Sequence, residues 1–266
     1  MATGFTTTAR SVVGLVRSGN EDSALIAPYL IAVADGMGGH AGGEVASSIA
    51  VKTLAPLAGI LRDAEIDADS IEDLLLNSLY DIDNEIKRVA KESIELTGMG
   101  TTLTALMLYP DGEKRASQRI ALLHVGDSRC YRLRGSSLQQ LSRDHTVLQE
   151  LLDQGSISVE EAQDHPQSAF LTQALVGDGT LTPMLTVVDV KPKDKFLICS
   201  DGLSGVLSEK EIKQGMRISD PTEALTFFIE KTYSLGAPDN VTVLLATVDE
   251  ISESSSLTFL GAAADE

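Results

Sequence analysis

Short apolar runs rich in Val, Ile and Leu, each broken off by turn residues, most limit what this chain can fold into. They lie at 11–16, 23–34, 102–109, 119–125, 129–134 and 137–141, and again at 184–190, 195–200 and 241–248. Runs of this length and make-up read as strands. Two connections read as hairpins: YPDGEKRASQR after 102–109, and RGSS after 129–134. A short hairpin can join only antiparallel strands, because parallel ones need a crossover. Helices are expected at 44–61 and 71–97. In the second, Ile71, Leu75, Leu79, Ile82, Ile86 and Val89 recur at spacings of three and four, the mark of a core-facing stripe. Shorter helices are expected at 146–153, 158–163, 208–216 and 221–234. The expected class is α+β: two antiparallel β-sheets packed as a sandwich, flanked by pairs of α-helices. A single domain is expected over 8–250. Residues 251–266, ISESSSLTFLGAAADE, are small and polar and read as a flexible C-terminal tail.

Acids stand at the edges of these runs. Asp35 ends YLIAVADG, Asp201 ends KFLICSDG, Asp239 and Asn240 precede VTVLLATV, and Glu21 and Asp22 follow Arg17 in RSGNEDSALIA. Carboxylates aimed at one place repel each other unless cations sit between them. Hard cations such as Mg²⁺ or Mn²⁺ prefer oxygen ligands, so the pattern reads as a two-metal oxygen site. Gly36 lacks a Cβ, which would let its carbonyl approach a metal closely. Arg17 is the fixed positive fork nearby and suits a phosphate. Asp127 in LLHVGDSRCY is a further strand-end acid, open either to function or to a structural role, pairing with Arg129 or capping a turn. His40, in the Gly-rich loop beside Asp35, is the best placed proton donor, whereas His124 in an apolar run reads as a satisfied core residue. The GMGGHA stretch also matches a dinucleotide-binding loop. That reading fails because Asp35 would face the pyrophosphate and the helix after it leads into another helix.

Bulk properties narrow the partners. The 266 residues are 43% hydrophobic but only 4% aromatic, with no Trp, so the core must be aliphatic. The net charge of −18 leaves no basic footprint for nucleic acid and makes an anionic membrane surface a poor partner. Cys130 and Cys199 lie in strand-like runs without CxxC pairing and read as reduced, buried thiols of a cytoplasmic protein. No apolar leader and no run near the roughly 18 residues needed to span a bilayer occur, so any membrane anchor is expected beyond residue 266.

The segments GLVRSGNED at 14–22, VADGMGGHAGGEVAS at 33–47, GMGTTL at 98–103, HVGDSRCYRLR at 124–134, SRDHT at 142–146, CSDGL at 199–203 and DNVTV at 239–243 together resemble the metal-dependent protein phosphatases of the 2C type, in particular the bacterial serine/threonine phosphatases. The resemblance implies hydrolysis of phosphoserine and phosphothreonine in proteins by a water activated by two Mn²⁺ or Mg²⁺ ions, with a weaker third. It implies that Asp35 bridges both core ions, that the Gly36 carbonyl, Asp201 and Asp239 complete their protein ligands, and that Glu21 acts through a bound water. Asp127 would serve the third ion, Asp22 would orient the attacking water, Arg17 would hold the substrate phosphate, and His40 would be the general acid. Residues 144–180 would form a flap beside the cleft. Two departures stand out: Met37, where eukaryotic members carry His, and Gln173, where Arg or Lys is common. The implied partners are phosphorylated proteins and serine/threonine kinases, for a monomeric enzyme. The rival expectation is a catalytically inert relative, or one dedicated to a partner such as an anti-sigma antagonist.

Overall fold

Alternation along single strands decides the layering. The computed structural model describes residues 2–38, 42–63, 68–110, 118–162, 170–251 and 256–264. In β3 (Leu30–Met37), Leu30, Ala32 and Ala34 belong to one apolar core and Ile31 and Val33 to another. Successive strand residues point to opposite faces. A strand buried on both faces therefore reads as a continuous apolar run.

The first sheet has the spatial order β1 (Ala2–Val12), β11 (Val241–Ile251), β10 (Lys195–Cys199), β7 (Arg129–Arg134), β8 (Ser137–Gln140). The second runs β12 (Thr258–Gly261), β2 (Asp22–Ile26), β3, β5 (Leu103–Pro110), β6 (Gln118–Val125), β9 (Met184–Asp189), with the two-residue β4 (Gly100–Thr101) beside β3. All these pairings are antiparallel. Ile31, Leu106, Leu122, Phe196, Ile198 and Leu244 fill the space between the sheets. Helices α1 (Gly42–Leu54), α2 (Pro56–Asp63) and α3 (Ala68–Glu92) cover the outer face of the second sheet, where Leu54, Leu75 and Leu79 meet Leu30 and Leu123. Helices α7 (Glu209–Met216) and α8 (Pro221–Ser234) cover the first, where Ile212 and Phe228 meet Leu197 and Val243. The result is the expected α+β sandwich flanked by helices.

Several boundaries differ from the sequence reading. Residues 23–34 are two strands, because Pro28 carries no N–H for a ladder and Ala27 closes a turn onto the Leu30 carbonyl. Helix 44–61 divides at Pro56, which opens α2. Helix 71–97 ends at Glu92 and is followed by a 3₁₀ turn at Ile94–Leu96. The run at 11–16 leaves the sheet after Val12. Gly14 adopts φ +84°, and Leu15 and Val16 are 60% and 72% exposed. A Cβ at Gly14 would stand 2.2 Å from the Asp239 carbonyl oxygen, so this loop is folded tightly against residue 239. The domain limits of 8 and 250 are too narrow. Residues 2–7 pair with 246–251, and Phe5 is buried between the sheets. The tail expected from 251 is instead, at Thr258–Gly261, an edge strand beside β2, and Ala263 is fully buried. Short alternating apolar residues were enough to add a strand to an existing edge. Among the described residues no helix is long and apolar enough to cross a membrane.

Candidate metal and phosphate site

Both sheets end at one rim. Asp22 opens β2 and Asp35 lies near the end of β3, and the two are register partners across the hairpin. Asp201 opens the short α6 (Asp201–Ser204) directly after β10, and Asp239 stands just before β11. Asp127 follows β6. Five strand termini thus carry the acids singled out in the sequence.

Neutral donors hold this rim together. Asn240 Oδ1 accepts from the Glu21 amide at 2.8 Å, and its Nδ2 donates to the carbonyls of Val13 at 2.9 Å and Gly19 at 2.8 Å. One amide side chain therefore ties the whole loop that carries Arg17 to the start of β11. Arg17 Nη2 donates to Asp239 Oδ2 at 2.6 Å across a half-exposed surface. Ser200 Oγ donates to Asp22 Oδ2 at 2.7 Å and accepts from the Thr242 amide at 3.0 Å. The Asp35 amide donates to Thr102 Oγ1 at 3.0 Å, and the Asp35 carbonyl accepts from the Thr102 amide and from Thr101 Oγ1, both at 2.9 Å. Thr102 Oγ1 in turn contacts Ser128 Oγ at 2.8 Å, next to Asp127. Sequence reasoning placed Asn240 only as the neighbour of Asp239 and missed Ser200, Thr101, Thr102 and Asn20. The local signal was a hydroxyl or amide adjoining Glu21, Asp22, Asp127, Asp201 and Asp239, whereas Asp35, between Ala34 and Gly36, had none.

The electrostatics show convergence. Burial pushes the Asp22 carboxyl up to about 7, against hydrogen bonds from Ser200 and Thr242, with Asp201 and Asp239 raising it further. Burial, then Asp22, Asp201 and Asp127, holds Asp35 well above the usual carboxylate range. Burial and Asp239 raise Asp201, against the lowering influence of the neighbouring Asp35 and Arg17. Burial lifts Asp127 to about 7, with Asp201 and Asp144 adding to it. Burial also raises Glu21. Each acid lies in the field of another, so they form one cluster. Arg129 does not neutralise Asp127 by hydrogen bonding; it forks onto Asp144 at 2.6–3.0 Å. Arg129 therefore makes no ion pair with Asp127 and acts on it only through space, which leaves the turn-capping reading of Asp127 standing beside the functional one.

His124 is a core residue. It contacts Thr104 Oγ1 at 2.8 Å and the Arg143 carbonyl at 3.0 Å, and burial beside His145 lowers it to about 3. His40 lies outside the described residues. Gln173 Oε1 accepts from the Thr182 amide at 2.9 Å and so closes a loop of the expected flap.

The residues fit a pair of hard divalent ions. Among the described residues the rim's polar groups are oxygen donors and neutral hydrogen-bond donors, with Arg17 at its edge and Arg129 turned onto Asp144. Carboxyls held above their ordinary values by one another are relieved by cations. At Gly36 a Cβ would stand 2.1 Å from the Gly43 carbonyl oxygen and 2.5 Å from that of Glu21, so backbone alone occupies this corner. Among the described residues no group of three or more acidic, imidazole or thiol side chains is already drawn together closely enough to hold a metal ion.

Comparison with known proteins agrees with this geometry. A sequence model described as Protein phosphatase 2C matches residues 20–246. The chain is 41% identical over 240 residues to the serine/threonine protein phosphatase PstP of Mycobacterium tuberculosis, covering 90% of this chain but only 44% of that protein. It is 36% identical over 242 residues to the serine/threonine phosphatase stp of Listeria monocytogenes, covering 89% of this chain and 93% of that one. The crystal structure of M. tuberculosis PstP superposes with a TM-score of 0.84 at 38% identity, over 93% of this chain and 100% of that one. A second structure of the PstP catalytic domain, with two manganese ions, gives 0.81 at 38% identity over 94% and 100%. The chain belongs to the protein phosphatase 2C family.

Proposed function

We propose that this chain is a metal-dependent phosphoprotein phosphatase that hydrolyses phosphoserine and phosphothreonine in proteins. The observation that carries the reading is the rim of mutually raised carboxyls with Arg17 at its edge. On this reading Asp35, the Gly36 carbonyl, Asp201 and Asp239 hold two core ions, Glu21 acts through water, and Asp127 serves a weaker third ion. Bound divalent ions supply charge that lowers the pKa of water and clamps phosphoryl oxygens.

The chain's own residues do the rest. Asp22, fixed by Ser200, orients the attacking water. The guanidinium of Arg17 leaves Asp239 in part to fork onto the phosphate dianion, whose charge spreads over three oxygens in a loose transition state. One P–O bond forms to water as the P–O bond to the seryl or threonyl oxygen breaks. That leaving oxygen needs a proton, which His40 supplies. Substrates are phosphorylated proteins, which sets the enzyme against serine/threonine kinases. The ion used is Mn²⁺ or Mg²⁺, the protein acts as a monomer, and its catalytic domain works in the cytoplasm. A catalytically inert relative would be expected to lack one of the acids, and each of them is present.

The raised carboxyls set a pH dependence. Asp22 and Asp127 titrate near 7 when folded, against 3.8 for a free carboxyl. Between those values the folded chain binds more protons than the unfolded one. Their contribution to stability is therefore full below about pH 4 and is lost as the pH rises through 7. Metal-free protein should melt at a lower temperature at pH 8 than at pH 5, and Mn²⁺ or Mg²⁺ should recover the loss at pH 8. A melting temperature indifferent to both pH and ions would contradict the convergence of these acids.

Turnover of a phosphothreonine peptide should require Mn²⁺ or Mg²⁺ and stop in excess EDTA, and full turnover in EDTA would refute the reading. Arg17→Ala should lower kcat/KM on the same peptide by roughly 10- to 100-fold, as a charge-assisted phosphate contact of about 1.5–3 kcal/mol demands. Calorimetry should show its Mn²⁺ binding intact. Unchanged kinetics would make Arg17 a surface residue. His40→Ala should cut phosphothreonine-peptide turnover by roughly 10²–10⁴-fold but p-nitrophenyl phosphate hydrolysis far less, because nitrophenolate leaves without a proton. Equal losses on the two substrates would instead give His40 a role in ordering its loop.

A further inference from the structure

The C-terminal strand reaches the Asp22 backbone from the edge of the second sheet. β12 lies beyond residues 20–246, the span that the family's sequence model matches. It pairs with β2 from Thr258 opposite Ile26 to Gly261 opposite Ser23. At Gly261 the backbone turns to φ +69°, and the next amide, that of Ala262, donates to the Asp22 carbonyl at 2.7 Å. A Cβ at position 261 would stand 2.1 Å from that same carbonyl oxygen. Glycine is thus required twice over, by conformation and by space. Three anchors hold the strand: Phe259 packs on the helix-side core, Leu260 on the core between the sheets, and Ala263 is fully buried. Asp22 is consequently fixed at three points. Its side chain takes Ser200 at 2.7 Å, its amide donates to Asn20 Oδ1 at 3.2 Å, and its carbonyl takes Ala262.

We propose that residues 258–264 are a positioning segment for the catalytic centre, holding the backbone of Asp22 so that its carboxylate keeps its aim. The inference rests on the phosphatase reading of Asp22. Small displacements of an orienting group cost rate steeply, on the order of 10²-fold for about 1 Å. An orienting group acts on the attacking water whatever leaves, so good and poor leaving groups should suffer alike.

The test is Gly261→Val in the full chain, with a chain ending at Ile251 as second variant. Both are compared with the wild type in Mn²⁺. The expected result is a fall in kcat of roughly 10- to 100-fold on phosphothreonine peptide and on p-nitrophenyl phosphate together, with KM for each little changed. Calorimetric Mn²⁺ binding should persist, because the strand bonds to residues 22–26 and to none of the proposed core ligands Asp35, Gly36, Asp201 and Asp239. A synthetic peptide of residues 256–264 should restore kcat to the shortened chain by strand addition to β2, and the same peptide carrying Gly261→Val should not. Folded variants with wild-type kcat would overturn the inference. So would variants that lose Mn²⁺ binding or fail to fold, because β12 would then serve general stability only. A wild type inert toward both substrates would overturn the phosphatase reading and this inference with it. An active wild type beside unaffected variants would overturn this inference alone.

Discussion

Repulsion among buried carboxyls is the constraint on which the rest of this structure turns. The sandwich brings the ends of β3, β6 and β10 and the starts of β2 and β11 to one rim, and an acid sits at or beside each. Taking a carboxylate out of water costs several kcal/mol even after relaxation, and its neighbours here add to that cost. A fold selected for stability alone would put Asn or Ser at such positions. Asp22, Asp35, Asp127 and Asp201 persist there, and their raised pKa values record the same penalty in another form. Positive charge brought from outside is what relieves it.

The scaffold around the rim is built so as not to supply that charge itself. Ser200, Thr101, Thr102, Asn20 and Asn240 fix the positions of acids or of the backbone beside them, and all are neutral. A lysine in any of these places would hold an oxygen equally well and cancel the field that attracts a divalent ion. Arg17 is the exception, and it stands at the half-exposed edge. A guanidinium there faces solvent, where an incoming dianion would arrive, and its bond to Asp239 keeps the fork ordered meanwhile. The same logic explains why Arg129, close to Asp127, is committed bidentately to Asp144.

The acids themselves were legible in the sequence because their signal is local: a carboxylate directly after or before an apolar run. What positions them was not, because it is made across the chain. Asn240 reaches residues 13, 19 and 21, more than two hundred positions away in sequence. Gly14 gave no sign that its missing Cβ makes room for the Asp239 carbonyl, so GLV read as the end of a strand rather than as a loop. The pairing of Asp127 with Arg129 stayed open until the partner of Arg129 was seen. The last strand was hidden by its setting. TFLG between SSSL and AAAD resembles solvated chain, and only an open edge on β2 with two cores flanking it turns four residues into structure.

The same dependence on non-local contacts links the flap to the metal rim. β4 is only two residues long, yet it serves both sides. Thr101 donates its hydroxyl to the Asp35 carbonyl, while its own amide and carbonyl pair with Leu175 at 3.0 and 2.9 Å. Just beyond, the amides of Gly177 and Gly179 both donate to the buried Asp83 carboxylate on α3, at 2.7 and 3.0 Å. A buried carboxylate that accepts two backbone amides is costly to abandon. The exit of the flap is therefore pinned to α3 and to the strand behind Asp35. Any rearrangement at that exit that separates Leu175 from Thr101 also disturbs the residue that holds the Asp35 backbone in place.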